Sequence, residues 1–294
     1  MSTPSFDYSI AFCRNLGWVT PSEQQKLKKT RIAIAGMGGV GGVHLLTLAR
    51  LGIGNFHLAD FDIFELQNFN RQVGADMTTL GKAKVEVLRQ RALNINPELN
   101  IKSFAEGITE QNMDEFLQGV DMYVDGLDVF VLDIRELIFE ACKRRGIPAI
   151  TIAPIGMGAG FVAFDPRGMT FEQYFGFRGK SQIEKYCRFI LGFAPHFLHL
   201  KSLVDRSYAN AYKKKAPSTP MGCEMAAGIM GTEVLKHILQ RPGRMVAPQS
   251  MQFDAYTYRL KKSWLPWGAK NLFFLIKLKI LKLMLDKQNT HHER

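Results

Sequence analysis

A glycine-rich run and the acidic, amide and basic side chains that follow it carry the chemistry this sequence can do. Glycines let a backbone approach a phosphate, and a helix that follows them offers free N–H groups at its positive end. An NAD site needs one acid for a ribose, whereas this chain adds a second acid, two amides, an arginine and a lysine. The candidate residues are Gly36, Gly38, Gly39, Gly41, Asp60, Asp62, Asn68, Arg71, Gln72 and Lys84. Together they predict a site for a nucleoside triphosphate with magnesium.

The charged members of this set have distinct expected roles. Asp60 stands about twenty residues after the glycines, where a carboxylate accepts from ribose hydroxyls. Arg71 can make a bidentate contact with a phosphate, and Lys84 adds a point charge on the same group. Asp128 follows a fourth predicted strand and could hold magnesium between phosphate oxygens. Asp62 belongs either to the ligand site or to a turn that it forms.

Short apolar runs alternate with longer amphipathic segments, and these elements must position the candidate residues. Strands are predicted at 32–35, 56–59, 101–104, 122–124 and 148–152, and helices at 43–51, 82–94, 132–145 and 221–239, with a further helix beginning at Pro21 behind Thr20. The alternation predicts an α/β, Rossmann-like, doubly wound and mainly parallel sheet with helices on both faces. Residues 156–165, 251–254 and 256–259 predict late antiparallel strands.

Three segments are expected along the chain. Residues 1–30 form an N-terminal helical segment, residues 31–258 form the α/β domain, and residues 259–294 form a basic, apolar tail. Within the domain, residues 166–215 lack a clear hydrophobic period. We interpret them as an irregular, mobile flap that covers the nucleotide and selects the acceptor, because long irregular stretches beside a rigid core are commonly lids.

Charge and cysteine content limit the class of protein. The net charge is +11, and nine Lys and Arg stand against two acids from Arg259 to the end, so the body is only mildly basic. Nucleic-acid binding is therefore not demanded by charge. Four widely spaced cysteines and the absence of a recognisable signal peptide predict a cytoplasmic protein without disulfides or a zinc site. The cysteines are Cys13, Cys142, Cys187 and Cys223.

The tail interleaves apolar residues with Lys277, Lys279 and Lys282. It is too charged for a membrane span, which needs about 20 apolar residues. We expect it to pack on the protein's own body or on a dimer partner. The alternative is a helix at a membrane interface, which would place the protein peripherally on the inner membrane face.

The ordered set of motifs resembles the MoeB/ThiF/HesA type of adenylyltransferase in the ubiquitin-activating enzyme superfamily. The pattern GxGGxG occurs at 36–41, DxDxxxxxNxxRQ at 60–72 and GxxKxE at 81–86, followed by Asp128, within a resemblance that extends from Arg14 to Arg259. Val129 departs from the family's usual Asn or Ser, and the zinc cysteines of MoeB-type relatives are missing, so no zinc is expected.

The resemblance implies the roles of the site residues. It places Asp60 on the ribose, Asn68, Arg71 and Lys84 on the phosphates of ATP, and Asp128 on magnesium. It also implies a homodimer, in which Arg14 reaches into the partner subunit's active site.

The implied reaction is ATP-dependent adenylation of a carboxylate with release of pyrophosphate. The expected substrate is the C-terminal glycine of a small ubiquitin-like, β-grasp sulfur-carrier protein. On the same scaffold, the alternatives are a TcdA-like tRNA-modifying dehydratase and a peptide-adenylating enzyme. The tRNA alternative would use basic residues to contact phosphates: Arg178, Lys180, Lys185, Arg188 and 213–215. Alternatives of another class are an NAD-binding oxidoreductase and a non-catalytic, membrane-associated scaffold.

Cys187 is the candidate for a thiol that receives the activated acyl group. Its neighbours Lys185 and Arg188 would lower the thiol pKa and so favour the thiolate. The alternative is a packing cysteine without chemistry, since a free cysteine usually behaves as a small apolar side chain.

Overall fold

The computed structural model describes the backbone of residues 5–292 and the side chains of residues 5–286. Residues 1–4 and 293–294, which belong to the predicted N-terminal segment and tail, lie outside the described residues. The chain forms two compact units. The first runs to Leu127 and includes Ala227–Arg244, and the second comprises Asp128–Ala226 and the chain from Met245 onward.

The first unit is a parallel α/β layer. Its strands are β1 (Arg31–Ala35), β2 (Asn55–Ala59), β3 (Asn100–Phe104) and β4 (Met122–Asp125). They run in the order β3-β2-β1-β4 and pair in parallel. Its helices are α1 (Tyr8–Ala11), α2 (Pro21–Lys29), α3 (Gly41–Leu51), α4 (Lys84–Ile95) and α5 (Met113–Phe116). Ile32 to Ala35 are fully buried, as a parallel strand covered on both faces requires.

Local chemistry explains where α2 begins. Thr20 accepts a hydrogen bond from the Glu23 N–H at 3.2 Å, and Glu23 accepts one from the Thr20 N–H at 2.8 Å. Pro21 occupies the first turn, where its missing N–H costs nothing. This capping box confirms the predicted helix start.

The second unit carries the antiparallel strands. Its helices and strands are α6 (Asp133–Arg145), β5 (Ala149–Ile155), β6 (Gly158–Phe164), α7 (Phe171–Phe175), α8 (Gln182–Phe193), β7 (Gln249–Asp254), β8 (Arg259–Trp264) and α10 (Leu272–His292). Helix α9 (Pro220–Ile238) contributes residues to both units. Strands β5 to β8 pair antiparallel in sequence order. The predicted α/β fold class with late antiparallel strands is confirmed. Among the described residues, no helix is long and apolar enough to cross a membrane.

Two predicted elements need correction. The hairpin strand expected at 256–259 begins at Arg259, because Thr257 closes a turn by donating its N–H to Asp254 at 2.8 Å. The irregular segment expected at 166–215 is wrong for 171–175 and 182–193, which form α7 and α8. Helix α7 is too short to show a hydrophobic period, whereas the amphipathic spacing of α8 was not recognised in the sequence. The aromatic side chains of the two helices and of the turn between them are buried: Phe171, Tyr174, Phe175, Phe177, Phe189 and Phe193.

Candidate nucleotide site

The carboxyl ends of β1, β2 and β4 lie side by side, because Ala35 pairs with both Ala59 and Asp125. Gly36 leaves β1 with φ +89°, and a Cβ there would fall 2.3 Å from the Gly126 carbonyl oxygen. A Cβ at Gly41 would fall 1.7 Å from the Gly36 carbonyl oxygen. These two glycines therefore permit direct backbone packing. Gly126 shares that packing and was not among the residues chosen from the sequence. Its position directly after β4 is the sequence feature that could have identified it.

Gly38 has a different environment. The nearest heavy atom to a Cβ built there is Gln72 Nε2, at 3.8 Å, so this part of the turn is open. Val40 precedes α3 without a side-chain hydrogen bond to the helix, which leaves the first turn of α3 available to an anion. The open turn and the helix start form a cradle of the kind that receives phosphates.

Gln72 supplies a second indication of a ligand. Its side chain is buried, and within the described part of the chain Oε1 has no hydrogen-bond partner. A buried amide oxygen without a partner lowers the stability of the folded protein. The other polar atom of the side chain, Gln72 Nε2, lies toward Gly38. A phosphate oxygen at the Gly38 turn can accept from Nε2, whereas Oε1 needs a donor such as a ligand hydroxyl.

Asp60 holds the glycine turn in place. One carboxylate oxygen accepts from the Met37 N–H, and the other accepts from the Asp62 N–H at 2.7 Å. Burial raises the pKa of the Asp60 carboxyl, and the two backbone bonds oppose that rise. The carboxylate thus has a positioning role that the sequence did not reveal, and each oxygen keeps a lone pair for a ribose hydroxyl.

Lys84 and Asp62 form an ion pair. The Lys84 ammonium lies 3.0 Å from Asp62 Oδ2, and the Lys84 N–H donates to the Asp62 carbonyl at 2.9 Å. The lysine side chain is 7% exposed and the aspartate 54% exposed. Asp62 therefore positions the first residue of α4, and the buried ammonium is held at the N-terminal start of that helix.

Asn68 and Arg71 belong to the loop between β2 and α4. Asn68 is buried, and its side-chain oxygen accepts from the Glu65 N–H at 3.0 Å, which leaves its NH2 group as the donor toward a ligand. Arg71 Nη1 donates to the Gln67 carbonyl and to Asn70 Oδ1, both at 2.9 Å. These bonds hold the guanidinium against its own loop and use one of its three nitrogens.

Asp128 is the first residue of the second unit and is exposed. Its Oδ1 accepts from the Phe130 N–H at 2.9 Å, and Arg135 Nη2 donates to its carbonyl at 3.0 Å. Arg135 is buried and also donates to the Val131 carbonyl at 2.8 Å. This arginine, which sequence reasoning missed, fixes the turn that carries Asp128. Among side chains 5–286, no group of three or more His, Cys, Asp and Glu residues is placed to hold a metal.

His44 was also missed by sequence reasoning. It lies in α3, one turn after Gly41, and is fully buried. In the described residues neither ring nitrogen has a hydrogen-bond partner. Burial lowers the pKa of His44 to about 3, so the imidazole is neutral in the folded protein at neutral pH.

Arg14 lies at the surface of the first unit. It is exposed in a single-turn helix, Cys13–Asn15, that Asn15 anchors by donating to the Leu51 carbonyl at 3.2 Å. Ile10 and Trp18 on the same segment are also exposed, at 73% and 82%. The guanidinium is thus carried on a fixed segment with apolar neighbours.

Cys187 has none of the properties expected of an activated thiol. It is fully buried in α8, and with Leu191 it packs against Phe274 and Leu278 of α10. Burial raises the pKa of the Cys187 thiol to about 11. The expectation of a lowered pKa is wrong, because the loss of solvation outweighs the positive charges nearby.

The basic residues around Cys187 are paired with acids. Lys185 lies 2.7 Å from Asp133 and 3.1 Å from Glu136, and Arg188 lies 2.9 Å from Glu184. Two further expected phosphate contacts are also in ion pairs: Arg178 with Glu140, and Lys180 with Glu184. This pairing reduces the positive charge that the region can offer to an RNA backbone.

Comparison with known proteins gives one family. The profile of the ThiF family matches residues 12–267. A tRNA threonylcarbamoyladenosine dehydratase of Haemophilus influenzae is 36% identical over 138 residues, which are 47% of this chain and 52% of that protein. A molybdopterin-synthase adenylyltransferase of the same organism is 34% identical over 134 residues, covering 46% of this chain and 54% of that protein.

The chain spans about half the length of these curated relatives. Among solved structures, E. coli MccB with ATP has a TM-score of 0.66 and 21% sequence identity, covering 93% of this chain and 75% of that one. This likeness concerns the fold, and it agrees with the Rossmann-like architecture described above.

Proposed function

The chain belongs to the ThiF family, and from that premise we propose that it is an ATP-dependent adenylyltransferase that activates a carboxylate. The main support for this proposal is the cradle formed by the open turn at Gly38 and the start of α3, where Gln72 Nε2 is the nearest side-chain atom to the turn and can donate to a phosphate. The buried ammonium of Lys84 adds positive charge to the same unit. The family and the charged side chains of Asp60, Arg71 and Lys84 favour adenylation over an NAD-binding oxidoreductase or a non-catalytic, membrane-associated scaffold.

In the proposed reaction, a carboxylate oxygen of the substrate attacks the α-phosphorus of ATP. The bond from that phosphorus to the bridging oxygen breaks, and pyrophosphate leaves with the electron pair. The chain contributes placement and charge: the cradle binds phosphate oxygens through N–H groups, and Lys84 and Arg71 neutralise negative charge. No general base is needed, since a carboxylate is ionised at neutral pH.

We assign the magnesium ligand to Asp128. Mg²⁺ commonly takes one or two protein carboxylates together with substrate phosphate oxygens, so a single exposed aspartate is a suitable protein contribution. When bound, the ion would neutralise phosphate charge. Arg135 would act on this ligand through the turn that it holds.

The substrate that we propose is the C-terminal glycine of a small ubiquitin-like or sulfur-carrier protein. Support comes from an E. coli relative, 29% identical over 143 residues, that is named sulfur carrier protein ThiS adenylyltransferase. We also propose that the active unit is a homodimer in which Arg14 acts on the partner subunit's nucleotide. Arg14 is exposed beside the exposed apolar side chains of Ile10 and Trp18, and such a surface is suited to be covered by a partner subunit.

The compartment that we propose is the cytoplasm, where free cysteines stay reduced.

Carboxylate activation on tRNA is the second candidate. The relative named tRNA threonylcarbamoyladenosine dehydratase, at 36% identity, favours it. Against it, the basic residues expected to contact tRNA phosphates between 178 and 188 are paired with acids. Residues 213–215 remain exposed for such contacts.

Pyrophosphate exchange tests the proposal and separates the substrates. The purified chain is incubated with ATP, magnesium and labelled pyrophosphate, together with a ubiquitin-like protein ending in Gly-Gly, a threonylcarbamoylated tRNA, a short peptide, or no acceptor. We expect exchange that depends on the protein acceptor. Lys84→Met should lower the exchange rate by about 10²–10³-fold, whereas Lys82→Met, at an exposed lysine two positions earlier, should leave it unchanged. ATP binding without exchange for any acceptor would remove the adenylyltransferase proposal.

A further inference from the structure

Helix α10 has two apolar faces. One faces the protein: Phe274 and Leu278 are 3% and 5% exposed and pack with Cys187 and Leu191 of α8. The other faces solvent, and its side chains are between 49% and 74% exposed. These residues are Leu272, Phe273, Ile276, Ile280, Leu283 and Met284. The helix is therefore already docked on its own unit and still presents an apolar strip outward.

The spacing of the strip explains the interleaved lysines of the tail. At 100° per residue, the six outward residues fall within an arc of about 120° on the helix surface. Lys277 borders that arc on one side and Lys279 on the other. Lys277 also donates to the Pro195 carbonyl at 2.9 Å, which leaves its charge in place. An apolar strip bordered by lysines on both sides is the arrangement of a helix that lies in a membrane interface, with lysines reaching the headgroups.

The turn before α10 adds exposed aromatic residues. Trp264 and Trp267 are 70% and 75% exposed. Asn271 ties this turn to the helix, because its Nδ2 donates to the Pro266 carbonyl at 3.2 Å and its Oδ1 accepts from the Phe273 N–H at 3.0 Å. Trp267 therefore lies near the first turn of the apolar strip. Exposed tryptophans are typical of surfaces that enter the headgroup layer.

Charge decides between a lipid surface and a second copy of the chain. Between residues 259 and 286 there are seven Lys and Arg and one acid, Asp286. Lys282, at the edge of the inward face, is paired with Glu184 at 3.0 Å. If two copies paired through the strip, the lysines that border one strip would meet the same lysines of the other. An anionic lipid surface complements both borders.

We propose that the outward strip of α10, with Trp264 and Trp267, binds anionic lipid bilayers with the helix lying in the interface. The strip buries its apolar side chains at the headgroup boundary, and Lys277 and Lys279 contact lipid phosphates. This site uses no residue of the nucleotide cradle, and it does not depend on the adenylyltransferase proposal.

Vesicle pelleting tests the site on the full chain. We expect the wild type to pellet with vesicles of phosphatidylcholine and phosphatidylglycerol, to remain soluble with phosphatidylcholine alone, and to shift its tryptophan emission to the blue on binding. The double variant Ile276→Gln/Ile280→Gln should bind at least about tenfold more weakly, as should Lys277→Gln/Lys279→Gln. Val204→Gln, which changes a fully exposed aliphatic residue of the same unit, should bind like the wild type.

The folded state of each variant is checked by thiol labelling. Cys13 is exposed and the other three cysteines are buried, so a correctly docked α10 leaves one fast-reacting thiol per chain. A wild type that fails to pellet with the anionic vesicles overturns the proposal. So does a double isoleucine variant that keeps full vesicle binding but sediments as a smaller species, since the strip would then join two copies.

Discussion

Gly38 and Gly41 lie three residues apart in the same turn, and the structure predicts opposite consequences of adding one methyl group to each. A Cβ at Gly41 would lie 1.7 Å from the Gly36 carbonyl oxygen, whereas a Cβ at Gly38 meets nothing closer than 3.8 Å. The φ of Gly38 is also outside the positive region, so alanine fits its backbone. Gly41→Ala should therefore damage the fold, and Gly38→Ala should damage ligand binding alone.

Gly41→Ala should change the free energy of unfolding, whereas Gly38→Ala should change the affinity for ATP. In Gly41→Ala, the Gly36 carbonyl must move by more than an ångström, and it already packs against Gly126. We expect a loss of about 4 kcal/mol or more in the free energy of unfolding. In Gly38→Ala, the free energy of unfolding should stay within about 1 kcal/mol of the wild type. Alanine lowers the conformational entropy of the unfolded chain, and this effect stabilises the folded state. The methyl group would occupy the open side of the turn and displace a phosphate from its N–H donors, which costs about 1.5–3 kcal/mol, or roughly ten- to hundredfold in Kd.

Urea unfolding and calorimetric titration with ATP and magnesium measure the two effects separately. Wild-type affinity in Gly38→Ala would show that the phosphates do not approach this turn, and the proposed cradle would be wrong. Wild-type stability in Gly41→Ala would refute the close backbone packing. A Gly38→Ala variant that unfolds as easily as Gly41→Ala would refute the assignment of open space.

Other predictions concern charge, assembly and pH. Lys84→Met should lower the rate of pyrophosphate exchange by about 10²–10³-fold with little change in stability, because the ammonium acts on developing phosphate charge; a normal rate would exclude this role. Mixing Arg14→Ala with Arg71→Ala subunits should restore part of the activity, since one site of a mixed dimer holds both arginines; inactive mixtures of exchanging subunits would refute the shared site. Because burial lowers the pKa of His44 from 6.5 to about 3, the unfolded chain takes up this proton first as the pH falls. The free energy of unfolding should therefore be highest well above pH 6.5, where His44 is neutral in both states, and should drop by about 2 kcal/mol between pH 7 and 5. Urea titrations of His44→Gln should lack that part of the drop, and equal drops in both proteins would contradict the assignment.

Elements set by local chemistry could be predicted from the sequence. The start of α2 follows from Thr20, Pro21 and Glu23, all within four positions. The helix predicted from residue 82 begins instead at Lys84, because the Lys84 N–H bonds to the Asp62 carbonyl and draws the preceding residues to the end of β2. That bond joins residues far apart in sequence, and no local pattern encodes it.

In the nucleotide site, too, residue types could be predicted from the sequence, whereas long-range contacts could not. The glycines, Asp60 and Lys84 could be chosen by residue type and spacing. The partners of these residues could not be predicted. The hydrogen bond from the Met37 N–H to Asp60 and the ion pair of Lys84 with Asp62 form because β1 and β2 end beside each other. Helix α7 has five residues, too few to show a hydrophobic period, whereas α8 has twelve, as many as α4, and its amphipathic spacing was present in the sequence but was not recognised.

The burial of Cys187 bears on where the activated carboxylate goes. An acyl group can be passed to a thiol only if the sulfur reaches the adenylate as a thiolate, and this sulfur is enclosed by α8 and α10 with a pKa raised to about 11. Cys142 and Cys223 are buried as well, which leaves Cys13 as the exposed cysteine of the chain. We therefore expect that none of the three buried cysteines receives the acyl group. Cys187→Ser should still form product, and mass spectrometry under non-reducing conditions should find no acyl adduct on Cys187 of the wild type. A thioester on Cys187 would require α10 to leave its docked position.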